Sequence, residues 1–153
     1  MKNYLTDANL SGHQLRIYLN LDNLDDLRAD SRWPGVQGAD AMEQLRNDGF
    51  EGVQVTHADS LAWERHLPYC GMNRINRPQD ASEVFASHAD RGDECLTLHL
   101  GWGIEDDREA HLLIESVLNA SEKYALPAFI ETHRATITQD MWRTVQFTKA
   151  FPE

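Results

Sequence analysis

The stretch ECLTLHLGWGIEDDREAHLLIESVLNASEKYALPAFIETHR, residues 94–134, decides the fold. It opens with an apolar run that reads as a strand and passes into the glycine-rich turn GWG. Glu105, Asp106 and Asp107 follow, acids that suit the positive end of a helix macrodipole. Leu112, Leu113, Val117, Leu118 and Tyr124 then recur on one helical face. The segment LPAFIETHR (126–134) begins as a second short apolar run, which is the pattern of a buried strand. Strand, long helix, strand is the βαβ unit, whose crossover joins parallel strands with a right-handed turn.

Working outward, the same alternation repeats. RPQDASEVFASHADRG (77–92) carries Pro78 near its start and Gly92 at its end, with Ala81, Val84, Phe85 and Ala89 along one face, so it reads as a helix. PYCGMNRI (68–75) before it is a weaker strand with Gly71 inside it. EGVQVTH is another strand, ADSLAWERHL a short helix, and GADAMEQLRNDGF a helix ending on Gly49. A first strand is expected near 15–20, followed by a polar loop, and a last helix is expected to open at Thr138 or Gln139 and stop near Pro152. Five βα alternations in 153 residues make one α/β domain with a parallel sheet. The alternation alone does not separate an open doubly wound sheet from part of a barrel. No G-x-G-x-x-G follows the first strand, and GWGIEDD lacks the third glycine, so a dinucleotide fold gains no support.

Composition restricts the function. The formal net charge is −11, with 14 basic residues against 25 acidic ones, which argues against a nucleic-acid binder. No apolar run approaches the roughly 20 residues of a membrane span, and the N-terminal residues lack a secretory apolar core. Cys70 and Cys95 form neither metal-ligand spacing nor a disulfide framework. A cytoplasmic location is the expectation.

The polar residues fall in a telling place. His57 ends the second strand, Asn73 and Arg74 the third, His99 the fourth, and Glu131 with His133 the fifth. In parallel α/β proteins the carboxyl ends of the strands form the active face. A lone strand-end histidine is more often structural than a ligand, and His66, His88 and His111, on helices or loops, are more so. Glu131 differs, because a carboxylate after Phe129 and Ile130 in a buried strand needs a cation: Arg134, another base or a metal. Trp102, between two glycines, either covers a pocket or packs on the next helix.

The HLGWG turn, the ETHRATITQDMWRT block, GMNRINRP and DGFEGVQV together resemble sugar phosphate isomerase/epimerase-like proteins of the xylose isomerase-like TIM-barrel superfamily. The likeness runs from about residue 40 onward and is diffuse before it. It implies a partial (β/α)8 barrel of about five βα units over residues 1–153. It also implies that Glu131 is a divalent-metal ligand and the catalytic carboxylate, with His99 and His57 as further ligand positions. On the resemblance His99 would line the substrate pocket, and by their positions His133, Arg134, Trp102 and Asn73 are expected to line it too. The metal would be Mn, Zn, Co or Mg, and the substrate a sugar or sugar phosphate.

A full barrel of this type has eight units in about 250 residues. The later aspartate, histidine and glutamate ligands of the family have no counterpart here, so the metal site is expected to be incomplete. A fragment, a split barrel and a self-associating half-barrel are the three explanations. The alternative function is accordingly a non-catalytic barrel piece that docks a partner, or a second copy, through its strand edges. The remoter one is a metal hydrolase of the apurinic endonuclease type, which the net acidity disfavours.

Overall fold

In the computed structural model, residues 16–24, 28, 30, 39–56 and 67–152 are described. They form five strands, β1 (Tyr18–Asn20), β2 (Gly52–Val55), β3 (Tyr69–Ile75), β4 (Cys95–Leu100) and β5 (Ala128–Ile130). Four α-helices accompany them, α1 (Ala39–Asn47), α2 (Ala81–Arg91), α3 (Asp107–Tyr124) and α4 (Met141–Ala150). The sheet is wholly parallel and its spatial order is the chain order, β1-β2-β3-β4-β5. The expected α/β class with a parallel sheet is therefore present. None of the described helices is long and apolar enough to cross a membrane.

The winding follows from which strand residues meet helices. Successive side chains on a strand point to opposite faces. Val53, Val55 and Tyr69 pack with Met42 and Leu45 of α1. Ile75, Leu96, Leu98 and Leu100 pack with Phe85 of α2, Leu113, Ile114 and Val117 of α3, and Phe147 of α4. The pairings Val53↔Tyr69 and Gly71↔Leu96 put both clusters on one face of the sheet. The chain is thus singly wound, with every described helix on the same side and no reversal of strand order. A doubly wound sheet would have a reversal point and helices on both faces.

Local chemistry sets the helix ends. The Asp106 side chain accepts from the Glu109 N–H at 2.8 Å while the Glu109 carboxylate accepts from the Asp106 N–H at 3.0 Å, a capping box that starts α3. α4 begins later than its sequence suggested, because Asp140, accepting from the Arg143 N–H at 2.7 Å, is its N-cap in place of Thr138 or Gln139. Those two residues serve the preceding loop instead.

Two expectations change, and two lie beyond what is described. β5 is only three residues long, and Phe129 is 61% exposed although it was read as buried. It lies on the face away from the helices in the strand that edges the described sheet, which leaves most of the residue in solvent. Leu112, placed on the apolar face of α3, is exposed, and Ile114 takes that role. The short helix expected in ADSLAWERHL, and most of the polar loop after β1, lie outside the described residues.

Candidate functional site

The face opposite the helices carries Cys70, Met72, Arg74, Thr97, His99 and Glu131, a polar set for a sheet surface. At its carboxyl edge the His99 ring is 9% exposed, and its Nε2 atom lies 3.4 Å from Glu131 Oε2. The approach is too poorly aligned for a formed hydrogen bond, so Nε2 is a buried nitrogen without a partner among the described residues. An orphaned polar atom of this kind costs free energy and marks a site of interest. Burial holds the His99 imidazole below its ordinary pKa; His133 and Arg74 act in the same sense, and Glu131 opposes them. The neutral ring is the form that ligates metals.

His133 stacks on His99, with ring centroids 4.3 Å apart and planes inclined by 22°. Its Nδ1–H donates to the Arg134 carbonyl at 2.7 Å. Glu131 is half-exposed, so it is not the buried carboxylate that its strand suggested.

The loop that presents Glu131 and His133 is tied to itself and to β4. Glu131 N–H donates to the Leu98 carbonyl at 3.0 Å, and Ile137 N–H to that of Leu100 at 2.9 Å. The Thr138 hydroxyl donates to the Glu131 carbonyl at 2.7 Å, and the Thr136 hydroxyl to that of His133. Gln139 accepts from the Ala135 N–H at 3.1 Å and donates to the Gly103 carbonyl at 3.0 Å, linking this loop to the turn after β4. The hydroxyls and amide of THRATITQ therefore hold the residues that precede them.

The turn after β4 has an internal brace that the sequence reading did not assign. The Glu105 carboxylate accepts three backbone N–H groups, from Trp102 at 2.7 Å, Gly103 at 2.8 Å and Ile104 at 3.0 Å. Burial would raise its pKa, but these bonds outweigh burial and hold it below the usual carboxylate range. Gly101 has φ of +63°, and a Cβ there would meet the Glu105 carboxylate at 2.6 Å, so this position needs glycine twice over.

Arg74, in register with His99, reaches across the rim. Its Nη1 donates to the carbonyls of Gly101 and Ala135, the latter at 2.8 Å, and its guanidinium lies 4.6 Å from the Trp102 ring centroid. Trp102 is 54% exposed and stands against this cation without packing into the helix core. Arg134 is exposed beside His133. Asn73 is not brought to the rim: it shares the helix side with Gly71 and Ile75, and its amide faces His88 Nε2 at 3.4 Å. His57 lies outside the described residues.

The His99–Glu131 pair can be tested against a metal. Bonds of roughly 2.0–2.2 Å to a tetrahedral ion separate two ligand atoms by about 3.3–3.6 Å. The observed 3.4 Å falls in that interval, so the pair fits two vertices. No group of three or more His, Cys, Asp and Glu able to hold a metal ion occurs among the described residues. No protein-family model, curated protein or solved structure matches the chain.

Proposed function

We propose that this chain contributes the N-terminal βα units of a xylose isomerase-like barrel and works in metal-assisted isomerisation or epimerisation of a sugar or sugar phosphate. The unpartnered Nε2 of His99, facing Glu131 across 3.4 Å on the helix-free side of the rim, is the observation that carries this reading. A singly wound sheet supports the barrel architecture. His99 and Glu131 supply two donors for Mn, Zn, Co or Mg, which when bound would polarise a substrate carbonyl. Glu131 is the rim carboxylate suited to moving a proton between adjacent carbons. His133 and Arg134 suit substrate hydroxyl or phosphate oxygens, and Trp102 offers an exposed ring to the sugar.

Thermal melting with each of the four cations tests the reading. A cation at a hundredfold excess over its Kd stabilises by about 2.7 kcal/mol, and Glu131→Gln and His99→Gln should each abolish the gain. Unchanged melting with all four would overturn the metal role. A second reading, a barrel piece that associates through its edges, is favoured by a separate observation. α4 exposes Met141 at 71% and Trp142 at 75%, and the edge strand β5 exposes Phe129. It calls for a mass that rises with protein concentration in light scattering, and a monomer at all concentrations would dismiss it.

A further inference from the structure

The two cysteines of the chain, 25 positions apart in sequence, are direct partners in the sheet: Cys70 of β3 is in register with Cys95 of β4. Both are free thiols and neither belongs to the helix-side core clusters, so both lie on the face that no described helix covers. Neighbouring strands run about 4.8 Å apart, inside the roughly 4.4–6.8 Å window of Cα separations that disulfides span. We propose that Cys70 and Cys95 form a peroxide-oxidised, reversible disulfide, a modification site independent of the metal reading.

The surroundings divide the labour between the two sulfurs. Cys70 Sγ lies 3.3 Å from the Thr97 hydroxyl. The neighbouring Cys95 thiol above all, then Thr97, draws the Cys70 thiol down against the effect of burial, which raises its thiolate fraction. Cys95 is pushed up by its Cys70 neighbour and by burial, so Cys70 is the better nucleophile of the two. The Cys70 thiolate attacks one oxygen of hydrogen peroxide; the S–O bond forms, the O–O bond breaks and hydroxide leaves, taking a proton to become water. Cys95 then attacks the Cys70 sulfur; the S–S bond forms, the S–O bond breaks, and the hydroxide departs with the Cys95 proton as a second water. The Cβ atoms must draw closer than the strand spacing, to roughly 3.8 Å, so the bond is formed under strain and is readily reduced. It would tie β3 to β4 at the end opposite to Arg74 and His99.

The test uses the reduced 153-residue chain, treated with hydrogen peroxide and read by intact mass, thiol titration and a non-reducing gel. The expected product is a monomer two hydrogens lighter, with both thiols lost together and both restored by dithiothreitol. Cys95→Ser should instead stop with one added oxygen on Cys70, and Cys70→Ser should stay reduced. Oxygen addition to the wild type without hydrogen loss, disulfides only between molecules, or equal oxidation of Cys70→Ser would each overturn the proposal. The wild-type mass and gel carry the decision even where a variant folds poorly.

Discussion

Two histidines on adjoining strands and helices, His88 and His99, are both buried, and the sheet divides them. His88 reaches from α2 onto the helix side of β3. Its Nδ1 lies 2.7 Å from Asp93 Oδ2 and 2.8 Å from Arg91 Nη2, its Nε2 faces the Asn73 amide, and Arg91 grips the same Asp93 through two nitrogens, Nε at 2.8 Å. Burial would raise the Asp93 pKa, but His88 and Arg91 together hold it below the carboxylate range. The network is closed. His99 stands on the other face, stacked on His133, with a nitrogen that no described hydrogen bond uses. A saturated buried histidine supports a fold, whereas an unsaturated one held beside a carboxylate is kept for something else.

The contrast can be broken most forcefully at its closed end. Asp93→Ala leaves the mostly covered Arg91 cation and the buried His88 without their acceptor, and should cost about 3–5 kcal/mol in urea unfolding. Gly71→Ala comes next. A Cβ there would sit 2.3 Å from His88 Nδ1 and 2.6 Å from Asp93 Oδ2, so the network must shift at a cost of about 1–3 kcal/mol. His99→Leu should fall within about 1 kcal/mol of the wild type in either direction, because it deletes an unsatisfied nitrogen and replaces it with apolar volume. A loss as large as that of Asp93→Ala would show His99 to be structural and erase the distinction.

The smallest effect sharpens the contrast through pH. With its folded pKa depressed, His99 binds fewer protons in the folded state than in the unfolded chain. Its contribution is whole above the unfolded value of about 6.5 and is lost as pH falls through the folded value. Comparing unfolding at about pH 7.5 and about pH 5.5, the wild type should lose more stability than His99→Leu. Equal losses would show that His99 titrates as it does in the unfolded chain.

The alternation of strands and helices was legible because α3 and its flanking apolar runs carry strong periodicity, and acids, glycines and a proline mark their ends. The rim was legible for a related reason: His99 and Glu131 end apolar runs, where a parallel sheet opens to solvent. Facing was not. In YCGMNRI, apolar side chains occupy both parities, so nothing in the stretch announces that Asn73 points to the helices and Arg74 away from them. The exposure of Phe129 was equally hidden, since it depends on β5 being an edge. Glu105 reads in the sequence only as an acid at the helix start; its brace of the turn is hidden because its partners are backbone N–H groups, which no side-chain pattern records.

The chain-order sheet also bears on how the molecule assembles. Each described strand pairs only with the strand before and after it in sequence, the widest separation being that of Tyr18 from Gly52. Each pairing must close its crossover loop before it gains contacts, which makes a parallel sheet slow to fold, and domains form from the N-terminus as synthesis proceeds. Each βα unit can therefore settle on its predecessor while the next is still being made. Arg74 and His99 come into register one step before β5 docks, and the meeting of His99 with Glu131 waits for that step.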